Sequence, residues 1–152
     1  MRRAIASMLA ALACVMVFAG PAHADDVALP SIPRECKVAT TICIDTTFLT
    51  LRYARDGEVV RSMDIRVGAS KFPTDTGLFR VYRKARHHRS SDYGTPMPYS
   101  LFYNGAESIH YSHYFHRDGY NGASHGCVNL RDFSGAGWLF RHSPVGTRVY
   151  VY

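Results

Sequence analysis

A chain of 152 residues, 47% of them hydrophobic, has the material for one domain of ordinary size. Its 18 Lys and Arg outnumber 12 Asp and Glu, leaving a formal charge of +6. Beyond the amino terminus no stretch is apolar over enough length to cross a bilayer, and the lack of internal repeats and of long low-complexity segments excludes repeat architectures.

The first feature in chain order is a leader. Met1-Arg2-Arg3 is a short basic start, Ala4 to Gly20 is apolar, and Ala22-His23-Ala24 forms a small-x-small cleavage site before Asp25. This is the pattern of a secretory signal peptide over 1–24, because the apolar run falls short of the roughly 20 residues a spanning helix needs. Cys14 lies within that run, with Ala11 instead of Leu three residues before it, and reads as part of the leader, not as a lipid attachment site. Removing the leader takes away Arg2 and Arg3 and leaves 16 basic against 12 acidic side chains, a net +4. Residues 25–35, with Pro30 and Pro33, read as an extended lead-in, and the domain proper covers 36–152. The expected location is the periplasm, the cell wall or the extracellular space, without membrane insertion. An oxidising compartment favours pairing Cys36 with Cys43 and leaves Cys127 as the odd thiol; two reduced core cysteines are the alternative.

Strands follow. Leu49, Leu51 and Tyr53 alternate with Thr50 and Arg52, and beyond an Asp56-Gly57 turn Met63, Ile65 and Val67 alternate with Ser62, Asp64 and Arg66, the pattern of a half-buried hairpin. Further strands are predicted over Leu78 to Tyr82, Tyr99 to Tyr103 before an Asn104-Gly105 turn, Ser108 to Tyr111, and Arg148 to Tyr152. A short helix is predicted from Phe133 to Arg141, capped by Asp132, with Gly135 and Gly137 each weakening it by about 1 kcal/mol relative to alanine. The fold class is mostly β.

The chemistry concentrates in Ser124-His125-Gly126-Cys127-Val128-Asn129, with Ile109-His110 upstream. A cysteine attacks a carbonyl as thiolate, and a reference pKa of about 8.5 leaves little of it ionised at neutral pH unless an imidazole or backbone dipoles assist. His110 and His125 are the nearest imidazoles in sequence. Gly126 lets the backbone lift the sulfur into a cleft and turn successive N–H groups toward one point, where an oxyanion can be held. Cys127 alone would read as a buried hydrophobe. The glycine before it and the polar residues around it make a poor core strand and a good nucleophile turn.

These residues resemble the signature of the L,D-transpeptidase catalytic domain, in which an upstream His precedes a Ser/Thr-His-Gly-Cys run and a following Asn or Arg. The resemblance extends to Ile42-Cys43-Ile44-Asp45 with Thr50-Leu51-Arg52-Tyr53, to Phe72-Pro73-Thr74-Asp75-Thr76-Gly77-Leu78-Phe79, to Met97-Pro98-Tyr99-Ser100, to Trp138-Leu139-Phe140 and to Pro144-Val145-Gly146-Thr147, and so covers about Cys36 to Tyr152. It implies a β-sandwich of mixed sheets with one short helix near the carboxyl terminus. It also implies an enzyme whose Cys127 attacks a peptidoglycan stem tetrapeptide while His110 takes the thiol proton and returns it to leaving D-alanine. Backbone amides around Gly126 would hold the oxyanion and His125 would shape that turn. The thioester would pass to an amine acceptor, or to water in a carboxypeptidase. Tyr99, Ser124 and Asn129 are candidate substrate contacts, and acylation by carbapenems follows from the same chemistry. The chain departs from the family where Tyr111 stands in place of a small residue after His110, and a bulky ring there narrows the cleft. A carbonyl at 111 can orient the imidazole whatever the side chain.

Two clusters remain. The run Arg80, Arg83, Lys84, Arg86, His87, His88, Arg89 reads as a solvated loop, with contact to acidic wall polymers as a weaker alternative; export argues against nucleic acid. His110, His113 and His116 have zinc-like spacing, but residues three apart on a strand face opposite sides and no fourth ligand is evident, so no metal and no cofactor is expected. His113 and His116 are assigned instead to an exposed loop, 112–123, at the cleft rim. Two other classes compete with the transpeptidase: a secreted peptidoglycan-binding protein with an idle thiol on the same scaffold, and a hydrolytic cysteine peptidase of another fold.

Overall fold

Residues 30–152 are described in the structure, a computed structural model; the expected leader with Cys14, and the lead-in as far as residue 29, lie outside the described residues. The elements in chain order are β1 (Thr40–Asp45), β2 (Thr50–Arg55), β3 (Glu58–Arg66), β4 (Gly77–Arg80), β5 (Arg83–Ala85), β6 (Ser100–Asn104) and β7 (Glu107–Tyr111). A helix α1 (His113–Asp118), strand β8 (Val128–Leu130), helix α2 (Phe133–His142) and strand β9 (Arg148–Val151) complete them. Nine strands make one mixed sheet in the order β4-β9-β1-β2-β3-β8-β7-β6-β5.

Turn chemistry sets the hairpins. Asp56 and Gly57 both take positive φ, 48° and 91°, and join β2 to β3 as the Asp-Gly pair predicts. The β1–β2 turn is held by the Asp45 carboxylate, which accepts from the N–H groups of Thr47 and Phe48 at 3.1 and 2.9 Å. Strand β3 then belongs to two halves of the sheet: Glu58 to Asp64 pair with β2, and Ile65 and Arg66 pair with β8. The sheet curls so that both halves share one core. Ile42, Ile44, Leu51, Tyr53, Val149 and Val151 meet Leu101, Ile109, Val128 and Leu130, with Ala136 and Leu139 of α2 between them. Mostly β architecture, a mixed sheet and one longer helix near the carboxyl terminus are all as expected.

Strand β2 is more buried than its alternation predicts, and for a specific reason. Ile32, Cys36, Cys43 and Ala54 form a second cluster on the other face of β1 and β2, where a Cys36–Cys43 disulfide ties the 3-10 turn Arg34–Lys37 against the sheet. Thr50 and Arg52, expected to face water, are therefore buried. Arg52 is held there by an ion pair with Asp45 at 3.0 Å and a bond to the Tyr152 hydroxyl at 2.8 Å. The bridge agrees with an oxidising compartment, and among the described residues no helix is long and apolar enough to cross a membrane.

Two other expectations need correction. The basic run is not simply a solvated loop, because Arg83–Ala85 form the edge strand β5. Its cations lie on rings, with Arg83 over Phe102 at 3.6 Å and Lys84 over Phe140 at 4.3 Å. The segment 112–123 is not all loop: Ser112 caps α1 through the Phe115 N–H, and His113 and His116 are exposed on that helix. In α2 the glycine at 137 leaves room for a neighbour, since a Cβ at Gly137 would sit 3.3 Å from the Tyr99 ring.

Loss of the Cys36–Cys43 bridge, as in a C36S/C43S double variant, is expected to lower stability by on the order of 2 kcal/mol, read from the urea midpoint. In the chain without its expected leader, intact mass after alkylation is expected to show one added group before reduction and three after it.

Candidate active site

The parallel pairing of β7 with β8 builds the site. Parallel neighbours require a crossover, and here α1 with the turn that follows it returns the chain to lie beside the strand it left. The register puts His110 opposite Asn129 and Ile109 opposite Val128. On the other side of β8, Arg66 of β3 also lies opposite Asn129. Cys127, just before β8, is half-buried, with its Sγ 3.8 Å from Ser108 Oγ and 3.9 Å from the Ala106 carbonyl.

The imidazole of His110 is buried and bonded at both nitrogens. Nδ1 lies 2.7 Å from the Tyr111 carbonyl, which only accepts, so Nδ1 carries the proton. Nε2 is then an acceptor, and Asn129 Nδ2 reaches it at 3.1 Å. Arg66 only donates, and its bond to Asn129 Oδ1 at 3.2 Å agrees with that orientation of the carboxamide. Asn129, expected to contact substrate, thus spends both ends of its side chain inside the protein. No ring nitrogen of His110 is bonded to Sγ among the described residues.

Hydrogen bonds fix the turn before Cys127. Gly126 has φ 107°, and its carbonyl accepts from Thr74 Oγ1 at 2.7 Å. In a trans peptide C=O and N–H point opposite ways, so this anchor aims the Cys127 N–H away from Thr74. Thr74 Oγ1 accepts in turn from the Gly68 N–H at 2.9 Å. The Ser124 hydroxyl donates to the Cys127 carbonyl, and its backbone bonds both to the Val67 carbonyl and to the Ala69 N–H at 3.0 Å. Among the described residues, the N–H groups of His125, Gly126 and Cys127 have no acceptor in turn or side-chain hydrogen bonds.

A cavity of about 990 Å³ joins these groups; Cys127, His110, Ser124, His125 and Asn129 all line it. His125 is exposed at its mouth, stacked on Tyr93 at 4.2 Å and tilted against Phe72 at 5.1 Å. Tyr99 does not line it: its ring packs on Phe133 and Phe140 of α2 at 5.1 and 5.7 Å, so the expectation of a substrate contact there is withdrawn. Tyr111 does not narrow the cleft either, because its ring turns onto Phe133 at 5.1 Å. Among the described residues no group of three His, Cys, Asp or Glu side chains is placed to hold a metal ion.

Burial governs the charges. It pushes the His110 imidazole down to about 4, against the Tyr111 carbonyl, which favours protonation; His88 and Arg66 add to the depression. It also raises the Cys127 thiol, which Glu107 raises further, while the N–H and hydroxyl of Ser108 favour the thiolate. At rest the site therefore holds a neutral thiol and a neutral imidazole. Sequence reasoning missed Arg66, Ser108, Thr74 and Glu107, which act through tertiary placement. The Thr74 segment was noted for its resemblance alone, and Ser108 only as the start of a predicted strand.

The chain is similar to known proteins in sequence and in fold. The YkuD-type L,D-transpeptidase catalytic domain model matches residues 39–151. L,D-transpeptidase 2 of Mycobacterium tuberculosis is 33% identical over 129 residues, which is 76% of this chain and 31% of that protein. A crystal structure of an L,D-transpeptidase from Stackebrandtia nassauensis superposes with a TM-score of 0.69 at 30% identity, covering 76% of this chain and 56% of the other. A second, an LD transpeptidase in complex with imipenem, gives 0.67 at 27% identity, covering 75% and 59%. The chain thus spans about a third of the curated relative and under two-thirds of the solved ones.

Acid should weaken this fold through His110. The unfolded chain binds the proton near the ordinary 6.5 and the folded chain only near 4, so the contribution is complete above pH 6.5 and falls as pH drops through that window. The loss amounts to about 3 kcal/mol by pH 4. Urea unfolding at several pH values should show this slope in the wild type and a flatter one in His110→Gln. Alkylation of Cys127 by iodoacetamide should keep rising with pH beyond the ordinary thiol range of about 8.5.

Proposed function

This chain belongs to the L,D-transpeptidase catalytic-domain family, and from that premise we propose that it is an exported acyltransferase acting on peptidoglycan stem peptides through Cys127. The observation that carries the reading is the pairing of His110 with Asn129 across two parallel strands, so that a thiol and an imidazole whose Nε2 accepts open on one cavity.

In this reading Cys127 Sγ attacks the carbonyl of the residue at position three of a stem tetrapeptide. The S–H proton passes to His110 Nε2 as the S–C bond forms, which requires the Asn129 amide to give up its place at that nitrogen. Nδ1–H stays on the Tyr111 carbonyl, which shares the positive charge that develops on the ring. The oxyanion is taken by N–H groups of the Gly126-Cys127 turn, whose direction follows from the Thr74 anchor. Cleavage of the C–N bond releases D-alanine, its amine receiving the proton from Nε2. The thioester then passes to an amine acceptor, giving a cross-link or an attachment to the wall; with water as acceptor the same steps make a carboxypeptidase. Removing an oxyanion donor in a hydrolase costs roughly 3 kcal/mol of barrier, so the hold on this turn outweighs any one rim contact.

Two neutral partners at rest require binding to bring the charges into being. Substrate that displaces the Asn129 amide frees Nε2 to take the thiol proton as the S–C bond forms, so the charges arise together with the attack. A second reading, a wall-peptide-binding protein with an idle thiol, is favoured by the same neutral pair and by the occupied Nε2. Imipenem is bound by the solved relative, and we extend β-lactam acylation to Cys127 on that basis.

Incubation with a carbapenem should give a stoichiometric mass adduct that disappears in Cys127→Ala. His110→Ala should slow its formation by about 100-fold or more with the fold intact. An unreactive wild type, with wall peptides still bound, selects the binding protein instead. Product analysis from a disaccharide tetrapeptide, with and without an added amine, separates transfer from hydrolysis.

A further inference from the structure

Beside the candidate base lies a buried cation to which the reading above assigns no part. Arg66 ends β3 at 7% exposure, opposite Asn129 in register. Its Nη2 donates to Asn129 Oδ1 at 3.2 Å and its Nη1 to the Gly119 carbonyl at 3.3 Å, while the guanidinium lies 5.4 Å from the Phe115 ring centre. Its Nε is buried without a partner. These are neutral acceptors and a ring face, with Asp118 of α1 the charge that bears on it.

We propose that Arg66 is a positioning residue for His110: by holding Asn129 Oδ1 it fixes which end of the carboxamide meets the imidazole, and so keeps Nε2 unprotonated at rest. The role of the ring as base rests on the proposed function; the orientation does not. A carboxamide has a donating end and an accepting end. Turned around, Asn129 would present Oδ1 to the ring and stabilise an Nε2–H, but its NH2 would then point at the guanidinium, two donors face to face. Arg66 therefore penalises that turn. With the amide held, a proton on Nε2 meets a donor instead of an acceptor. The positive charge of Arg66 acts in the same direction, as does His88 from the loop before β6; these are the charged and titratable groups that bear on the ring. Lysine in place of arginine would keep both the charge and a donor, glutamine would keep a donor alone, and methionine would keep neither.

The test is an NMR titration of the His110 ring in the resting protein, for the wild type and for Arg66→Lys, Arg66→Gln and Arg66→Met. The lysine variant should titrate within about half a unit of wild type, and the methionine variant should titrate higher by about one unit or more, with glutamine between. The pH profile of carbapenem acylation should move with it. A merely structural arginine would lower the unfolding midpoint and leave the ring where it was. An unmoved ring in Arg66→Gln and Arg66→Met overturns the proposal; if the methionine variant does not fold, an unmoved ring in the glutamine variant does so by itself. A ring that moves while His110→Ala acylates at the wild-type rate keeps Arg66 in its role and removes the base reading instead.

Discussion

Three strands laid side by side hold this site together through one rung. Arg66 on β3, Asn129 on β8 and His110 on β7 occupy one level of the sheet, each hydrogen-bonded to the next through side chains. Strand side chains alternate, so the residues two before Asn129 and two before His110, Cys127 and Ser108, bring sulfur and hydroxyl together at the next level. A slip of one residue would turn Ile109 and Val128 toward the cavity and send the polar set into the core. The hydrophobic demand of those neighbours, both fully buried, is what keeps the polar rung in register.

The turn before Cys127 was legible in the sequence because its conformation is set locally. Gly126, Cys127 and the upstream histidine carry their meaning in residue type and spacing, and the Asp56-Gly57 turn does the same for the first hairpin. What stayed hidden depended on contacts made late in the fold. Arg52 reads as the water-facing member of an alternating strand until the disulfide-tied turn covers it. Arg66 reads the same way, and only the pairing of β3 with β8 turns it inward. Tyr99 stands in a segment that resembles the approach to the site, yet a helix that offers glycine at position 137 draws its ring away. The short helix α1 was missed for a related reason, since six residues carry too little periodicity to stand out from a loop.

Burial acts on the thiol and on the imidazole in opposite directions along the pH axis, and both displacements favour the uncharged form. A thiolate–imidazolium pair formed in advance would attack any electrophile that entered. A neutral thiol reacts slowly with oxidants, an advantage for a free cysteine in the compartment that closes the Cys36–Cys43 bridge.

The stretch from Val67 to Asp75 looks peripheral, yet its backbone and Thr74 grip the turn before Cys127 at Ser124 and Gly126, and the Asp75 N–H holds the Glu107 carboxylate at 3.0 Å. Exchange of this segment for the equivalent piece of a relative is therefore not a modular graft. Altering its length by one residue would rotate the peptide plane ahead of the sulfur, so changes to the cavity are better made at exposed lining residues such as Tyr93.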